Sequence, residues 1–158
     1  MSDEQIVLVG RSIGTGPATL LAAERPNVGS LVLVTPFTSL KAIANSKLPG
    51  LGIFVPNYFD NLTEFRRVTA PTLILHGHKD EVIPYSHSQI LHKAKIGMMA
   101  KLISPANMSH NRGLDMQRDL LEPGEEILNK RLEGLSVDQK QAKDVLDKQA
   151  FRDWIQRL

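Results

Sequence analysis

The sequence predicts an α/β protein, a mostly parallel sheet of about four strands with flanking helices. Three observations lead there. Four short β-rich runs, at 6–9, 31–34, 72–76 and 101–103, are continuously apolar or nearly so, as expected of strands covered on both faces. Stretches of helical character separate them. A glycine-rich turn, with Gly10, Gly14 and Gly16, joins the first run to the first helix.

In chain order, the first strand at 6–9 leads into a helix over 16–24, and the second at 31–34 into a helix over 40–46. A further helical segment at 62–67 precedes the third strand, with Asn61 and Glu64 placed to form a capping box. After the third strand, 72–76, comes a helix over 86–95; after the fourth, 101–103, comes a loop. These elements make up a unit over residues 1–113. Residues 114–158 form a tail that packs on or extends the same domain, with 18 charged residues in 45. The tail reads as one or two helices broken near Pro123-Gly124 and Gly134. In the last of them Leu146, Ala150, Phe151, Trp154, Ile155 and Leu158 fall on one stripe. That stripe is expected to pack on the sheet, with a partner or a membrane surface as the alternative.

With 158 residues, 42% of them apolar and 23% charged, the chain reads as one globular domain. A net charge of +2 with no run of five basic residues gives no expectation of a nucleic-acid partner. The absence of cysteine removes disulfides, thiol nucleophiles and thiolate metal sites together. The polar start Met1-Ser2-Asp3-Glu4 is not a signal peptide, and no stretch approaches the ~18 apolar residues of a membrane span. A soluble cytoplasmic protein is the expectation.

The turn after the first strand excludes two of three glycine-rich mechanisms. A phosphate-cradling loop needs Lys-Ser or Lys-Thr after its last glycine, and Gly16 is followed by Pro17-Ala18. A dinucleotide fingerprint needs a small residue where Thr19 stands. What remains is G-x-S-x-G, Gly10-Arg11-Ser12-Ile13-Gly14, between a strand and a helix. There a serine sits on a strained turn that lifts its hydroxyl off the sheet, and its flanking positions are small because backbone passes close by. The Ile13 N–H, at the start of the helix, is placed to hold an oxyanion. The alternative is an incidental serine in a glycine-rich turn.

A serine hydroxyl needs a base, and the base an orienting acid. In this architecture the order is serine, acid, histidine, the last two on loops after later strands. Asp80 follows the third strand in His76-Gly77-His78-Lys79-Asp80-Glu81, with Glu81 the near alternative and a turn or cap role the structural one. His110 is the sole histidine after the fourth strand. His76-x-His78 lacks a third metal ligand, so surface or packing roles are expected of both. His87 and His92 read as solvated residues on a helix. Phe37 and the apolar run at 48–56 either line an acyl pocket or cover the sheet.

These residues resemble the α/β-hydrolase superfamily, and in particular the branch containing membrane-associated palmitoyl-protein thioesterases and their bacterial relatives. The resemblance runs from about Gln5 to Gly113 and rests on the motif around Ser12, Thr35-Pro36-Phe37-Thr38-Ser39, Tyr58-Phe59-Asp60-Asn61, the segments 70–77 and 79–84, and Ser109-His110-Asn111. It implies Ser12 as nucleophile, Asp80 as acid and His110 as base, hydrolysing an ester or thioester through an acyl-enzyme without a cofactor. The substrate would be a small molecule or an acylated protein. Two departures stand out. Ser109 occupies a position that is usually glycine, and only five residues precede the first strand, where the family has nearly half its domain. The expectation is therefore the C-terminal half of the fold. It would lack the loop that donates the second oxyanion N–H, and the strand at 6–9 would be an exposed apolar edge open to pairing with a second chain or another copy. The competing reading is a catalytically inactive half-domain serving as an interaction or oligomerisation module.

Overall fold

The computed structural model describes residues 3–56, 58–95 and 100–132, the side chains of 128–132 excepted. Strands β1 (Val7–Arg11), β2 (Ser30–Val34), β3 (Thr72–Leu75) and β4 (Ala100–Ile103) form one sheet in the order β1-β2-β3-β4. All three pairings are parallel, with Val9 opposite Val32, Val32 opposite Leu73 and Leu73 opposite Lys101. Each strand lies within a residue or two of the run that predicted it. Helices α1 (Thr15–Glu24), α2 (Leu40–Lys47), α3 (Asn61–Phe65), α4 (Ser86–Ala94) and α5 (Glu122–Leu132) complete the fold.

The apolar runs do not alternate because the sheet is buried on both sides. Successive residues of a strand point to opposite faces. Leu31, Leu33 and Ile74 therefore join Ala18, Phe65 and Leu91 under α1, α3 and α4. Val32, Val34, Leu73 and Leu75 face the other way, onto Met108, Leu120 and Ile127. All five residues of β2 are buried, and each large apolar side chain so enclosed is worth roughly 1.5–3 kcal/mol. β1 is an edge of the described sheet, and Val7, Leu8 and Val9 are only half-buried.

Two local expectations are corrected. The cap of α3 is Asp60, whose carboxylate accepts the Thr63 N–H at 3.2 Å. Asn61 turns inward instead and donates to the Phe37 carbonyl at 3.0 Å, tying the loop after β2 to α3. The helix is not broken at Pro123-Gly124: α5 runs through both. A short π-helical stretch, Met116–Leu121, leads into it, capped by Asp115 accepting from the Arg118 N–H. The apolar stripe from Leu146 to Leu158 and the break at Gly134 lie outside the described residues.

A parallel sheet brings the C-terminal ends of its strands to one rim, where open α/β sheets bind ligands. The loops holding Ser12, Asp80 and His110 all leave from that rim.

Candidate active site

β1 ends at Arg11, and Ser12 takes a left-handed backbone with φ 51°. For a residue with a Cβ this is strained geometry, found mostly where surrounding structure enforces it. A single tight turn, Ser12–Gly14, then passes into α1, and Thr15 Oγ1 donates to the Ser12 carbonyl at 2.7 Å. The two flanking glycines have different reasons to be there. A Cβ on Gly10 would lie 2.6 Å from the Gly14 carbonyl oxygen and 2.7 Å from Thr15 Cα, whereas one on Gly14 would meet open space. The expectation that close backbone forces both to be small holds for Gly10 alone. Ile13 stands in the first turn, where an N–H has no intrahelical acceptor; its side chain is exposed.

Asp80 follows β3. Its Oδ1 accepts the N–H groups of Val82 (2.9 Å) and Ile83 (2.8 Å), which fixes the carboxylate in the loop. The carboxylate is fully enclosed. His110, itself nearly buried, places Nδ1 2.8 Å from Asp80 Oδ2 and 3.1 Å from Oδ1. Its Nε2 lies 3.1 Å from Ser12 Oγ. A carboxylate only accepts, so Nδ1 carries the proton and Nε2 is free to accept from the serine hydroxyl. Glu81 is exposed, and its carboxylate reaches only the His110 backbone N–H, at 3.5 Å. The structure thus brings Ser12, His110 and Asp80 into one hydrogen-bonded line and leaves Glu81 beside it.

The loop carrying His110 is held without a glycine before the histidine. Met108 buries its side chain in the core and its carbonyl accepts the Lys79 N–H at 3.0 Å. Ser109 N–H donates to the Arg112 carbonyl at 2.8 Å. Gly77 permits the approach of the Asp80 and His110 loops, since a Cβ there would lie 1.9 Å from the Met108 carbonyl oxygen. From the other side, Arg11 Nη2 donates to the His110 carbonyl and to Asn111 Oδ1, both at 2.9 Å.

The remaining expectations divide. Phe37 is fully buried, so none of its ring is open to a ligand and its role is packing. Leu48, Leu51, Ile53 and Phe54 are exposed and do not cover the sheet. Lys47, at the end of α2, donates to the Glu81 carbonyl at 2.7 Å and brings that segment toward the loop after β3. His78 is exposed and stacks on Tyr85. His76 is fully buried, a packing role of an active kind. His87, expected in solvent, is buried as well: its Nδ1 accepts the Thr38 N–H at 3.2 Å, and desolvation lowers its pKa.

No family model matches this chain. It is 36% identical over 88 residues to the human Alpha/beta hydrolase domain-containing protein 17B, an overlap spanning 56% of this chain and 30% of that one. Among solved structures it resembles an acylaminoacyl peptidase from Pyrococcus horikoshii, with a TM-score of 0.68 at 18% identity over 89% of this chain and 27% of the other. It also resembles Acetyl Xylan Esterase 1 from Thermoanaerobacterium sp., with a TM-score of 0.61 at 17% identity over 82% and 46%. These likenesses support the α/β-hydrolase superfamily. At such low identity the structural neighbours speak for the fold alone. The chain covers less than a third of that human relative's length. Among the described residues no helix is long and apolar enough to cross a membrane.

Proposed function

We propose that this chain carries a Ser-His-Asp triad for hydrolysis of carboxylic esters or thioesters. The observation that supports it is the unbroken line from Ser12 Oγ through the His110 ring to Asp80. In this reading Ser12 Oγ attacks the acyl carbonyl while His110 Nε2 takes the hydroxyl proton. Asp80 holds the ring in the tautomer that can do so and stabilises the imidazolium that forms. The Ile13 N–H faces the developing oxyanion, aided by the positive end of α1. The tetrahedral intermediate collapses to an acyl-enzyme as His110 returns the proton to the leaving alcohol or thiol. Water, deprotonated by His110, then releases the acid.

The resemblance to palmitoyl-protein thioesterases makes acyl thioesters the first substrates to try, and short acyl esters the control. The direct test is labelling with a fluorophosphonate, with the adduct located by mass spectrometry and Ser12→Ala alongside. Modification confined to Ser12 and absent from the variant is expected. A folded chain that stays unmodified would sink the triad assignment and favour a non-catalytic interaction module.

A further inference from the structure

Asp80 is shared by two imidazoles. Besides His110, His76 at the end of β3 approaches it, with Nε2 3.2 Å from Oδ2, the oxygen that also accepts from His110 at 2.8 Å. The tautomer of His76 follows from its other partners. Nε2 lies 2.9 Å from the Ile83 carbonyl, which only accepts, so Nε2 carries the proton and Nδ1 accepts from the Ser88 hydroxyl at 2.6 Å. Burial lowers the His76 pKa, against the opposing pull of the Ile83 carbonyl and Asp80. The single N–H is therefore directed at the Ile83 carbonyl, with the carboxylate Oδ2 3.2 Å from the same nitrogen. A protonated Nδ1 with bare Nε2 would set a lone pair against both oxygens.

We propose that His76, with its tautomer locked by Ser88, is a positioning residue that sets the rotation of the Asp80 carboxylate and, through it, the basicity of His110. The inference rests on the triad reading. Two backbone amides fix Oδ1, and among the described residues His76 stands with His110 beside Oδ2. By drawing on the charge of Oδ2, its N–H weakens the grip of that oxygen on a His110 imidazolium. Among the described residues, the other charged groups bonded to this segment are Glu81, against the His110 backbone N–H, and Arg11, at its carbonyl. Neither touches the imidazole.

The test is the rate of fluorophosphonate labelling at Ser12 as a function of pH, in the wild type and in His76→Leu, His76→Gln and Ser88→Ala. Loss of the N–H is expected to slow labelling of His76→Leu about tenfold, the equivalent of one ordinary hydrogen bond. The acid limb, which reports His110, should move to higher pH. Gln extends an amide nitrogen toward the place of Nε2 and should restore the limb. Ser88→Ala frees the tautomer without emptying the core, and should shift the limb the same way by less. A wild-type limb in His76→Leu, or a Gln variant as impaired as Leu, would reduce His76 to a packing residue. If His76→Leu does not fold, an unmoved limb in Ser88→Ala overturns the proposal. A wild type unlabelled at Ser12 is a different failure, of the triad itself, and takes this inference with it.

Discussion

Arg11 and His110 are joined side chain to backbone across 99 residues, with Nη2 of the guanidinium 2.9 Å from the His110 carbonyl. The same nitrogen reaches Asn111 Oδ1 at 2.9 Å. The strand that delivers Ser12 is thereby tied to the loop that delivers the imidazole. Arg11 is exposed, so its removal should cost little stability. It should cost rate instead, because displacing a catalytic group by ~1 Å can lower turnover about a hundredfold. Arg11→Ala is expected to slow Ser12 labelling by about ten- to a hundredfold with an unchanged melting temperature. Arg11→Lys, a point charge without the fork, should recover only part of the loss.

The elbow glycines should respond unequally. A Cβ at Gly10 meets backbone and the Ala18 side chain under 3 Å; at Gly14 it meets nothing within 4 Å. Neither has a positive φ, so space decides the outcome. Gly10→Ala is expected to lose ~1–3 kcal/mol to overpacking. Gly14→Ala should be neutral or slightly stabilising through the unfolded chain. Urea unfolding of the two variants checks this; equal losses would show that both positions are tight.

Much of the fold was legible because its signals are local. Runs such as Leu31 to Val34 are apolar on both faces only when both faces are covered, so the strands announced themselves. That Ser12, Asp80 and His110 would meet could be expected because chain order and strand ends set them on three loops of one rim. What sequence missed is set by contacts from far along the chain. His87 looked solvated on its helix, yet its partner Thr38 lies 49 residues away. Arg11 is an unspecified position in G-x-S-x-G and shows its use only when the His110 loop arrives beside it. Gly77 gives no local sign of the carbonyl it admits. His76 did carry a hint: a histidine closing the apolar run before Gly77 is headed for the interior.

Lys95 should leave a mark on the pH dependence of stability. It is buried, with Nζ donating to the Ala70 carbonyl and to Thr72 Oγ1, both at 2.6 Å, and lying 5.0 Å from the Phe65 ring centre. Desolvation lowers its pKa from 10.5 to about 8. A neutral amine keeps two hydrogens, enough for both acceptors. Between these pH values the unfolded chain holds a proton that the folded one does not, so stability rises with pH across the window. The contribution is full above 10.5 and is lost as pH falls through 8. Measured against Lys95→Met, the wild type should gain up to about 3 kcal/mol between pH 7.5 and 10.5. A flat difference would mean that Lys95 stays charged in the fold.

At Gly77 folding and chemistry are coupled through one close contact. The Met108 carbonyl sits where a Cβ at Gly77 would be, and the Met108 side chain is anchored in the core beside Leu73 and Leu75. Backbone cannot step aside as a long side chain can, so Gly77→Ala must push the Asp80 and His110 loops apart. The displacement falls between Asp80 and His110, whose 2.8 Å contact has little slack. Gly77→Ala should destabilise the chain by ~1–3 kcal/mol and lower Ser12 labelling by about a hundredfold or more. Trimming the other side of the contact cannot relieve it, because the clash is with the Met108 main chain. Met108→Ala should therefore worsen stability by ~2–5 kcal/mol without restoring labelling in the double variant. Full activity in Gly77→Ala would show that the two loops can part and still align their side chains.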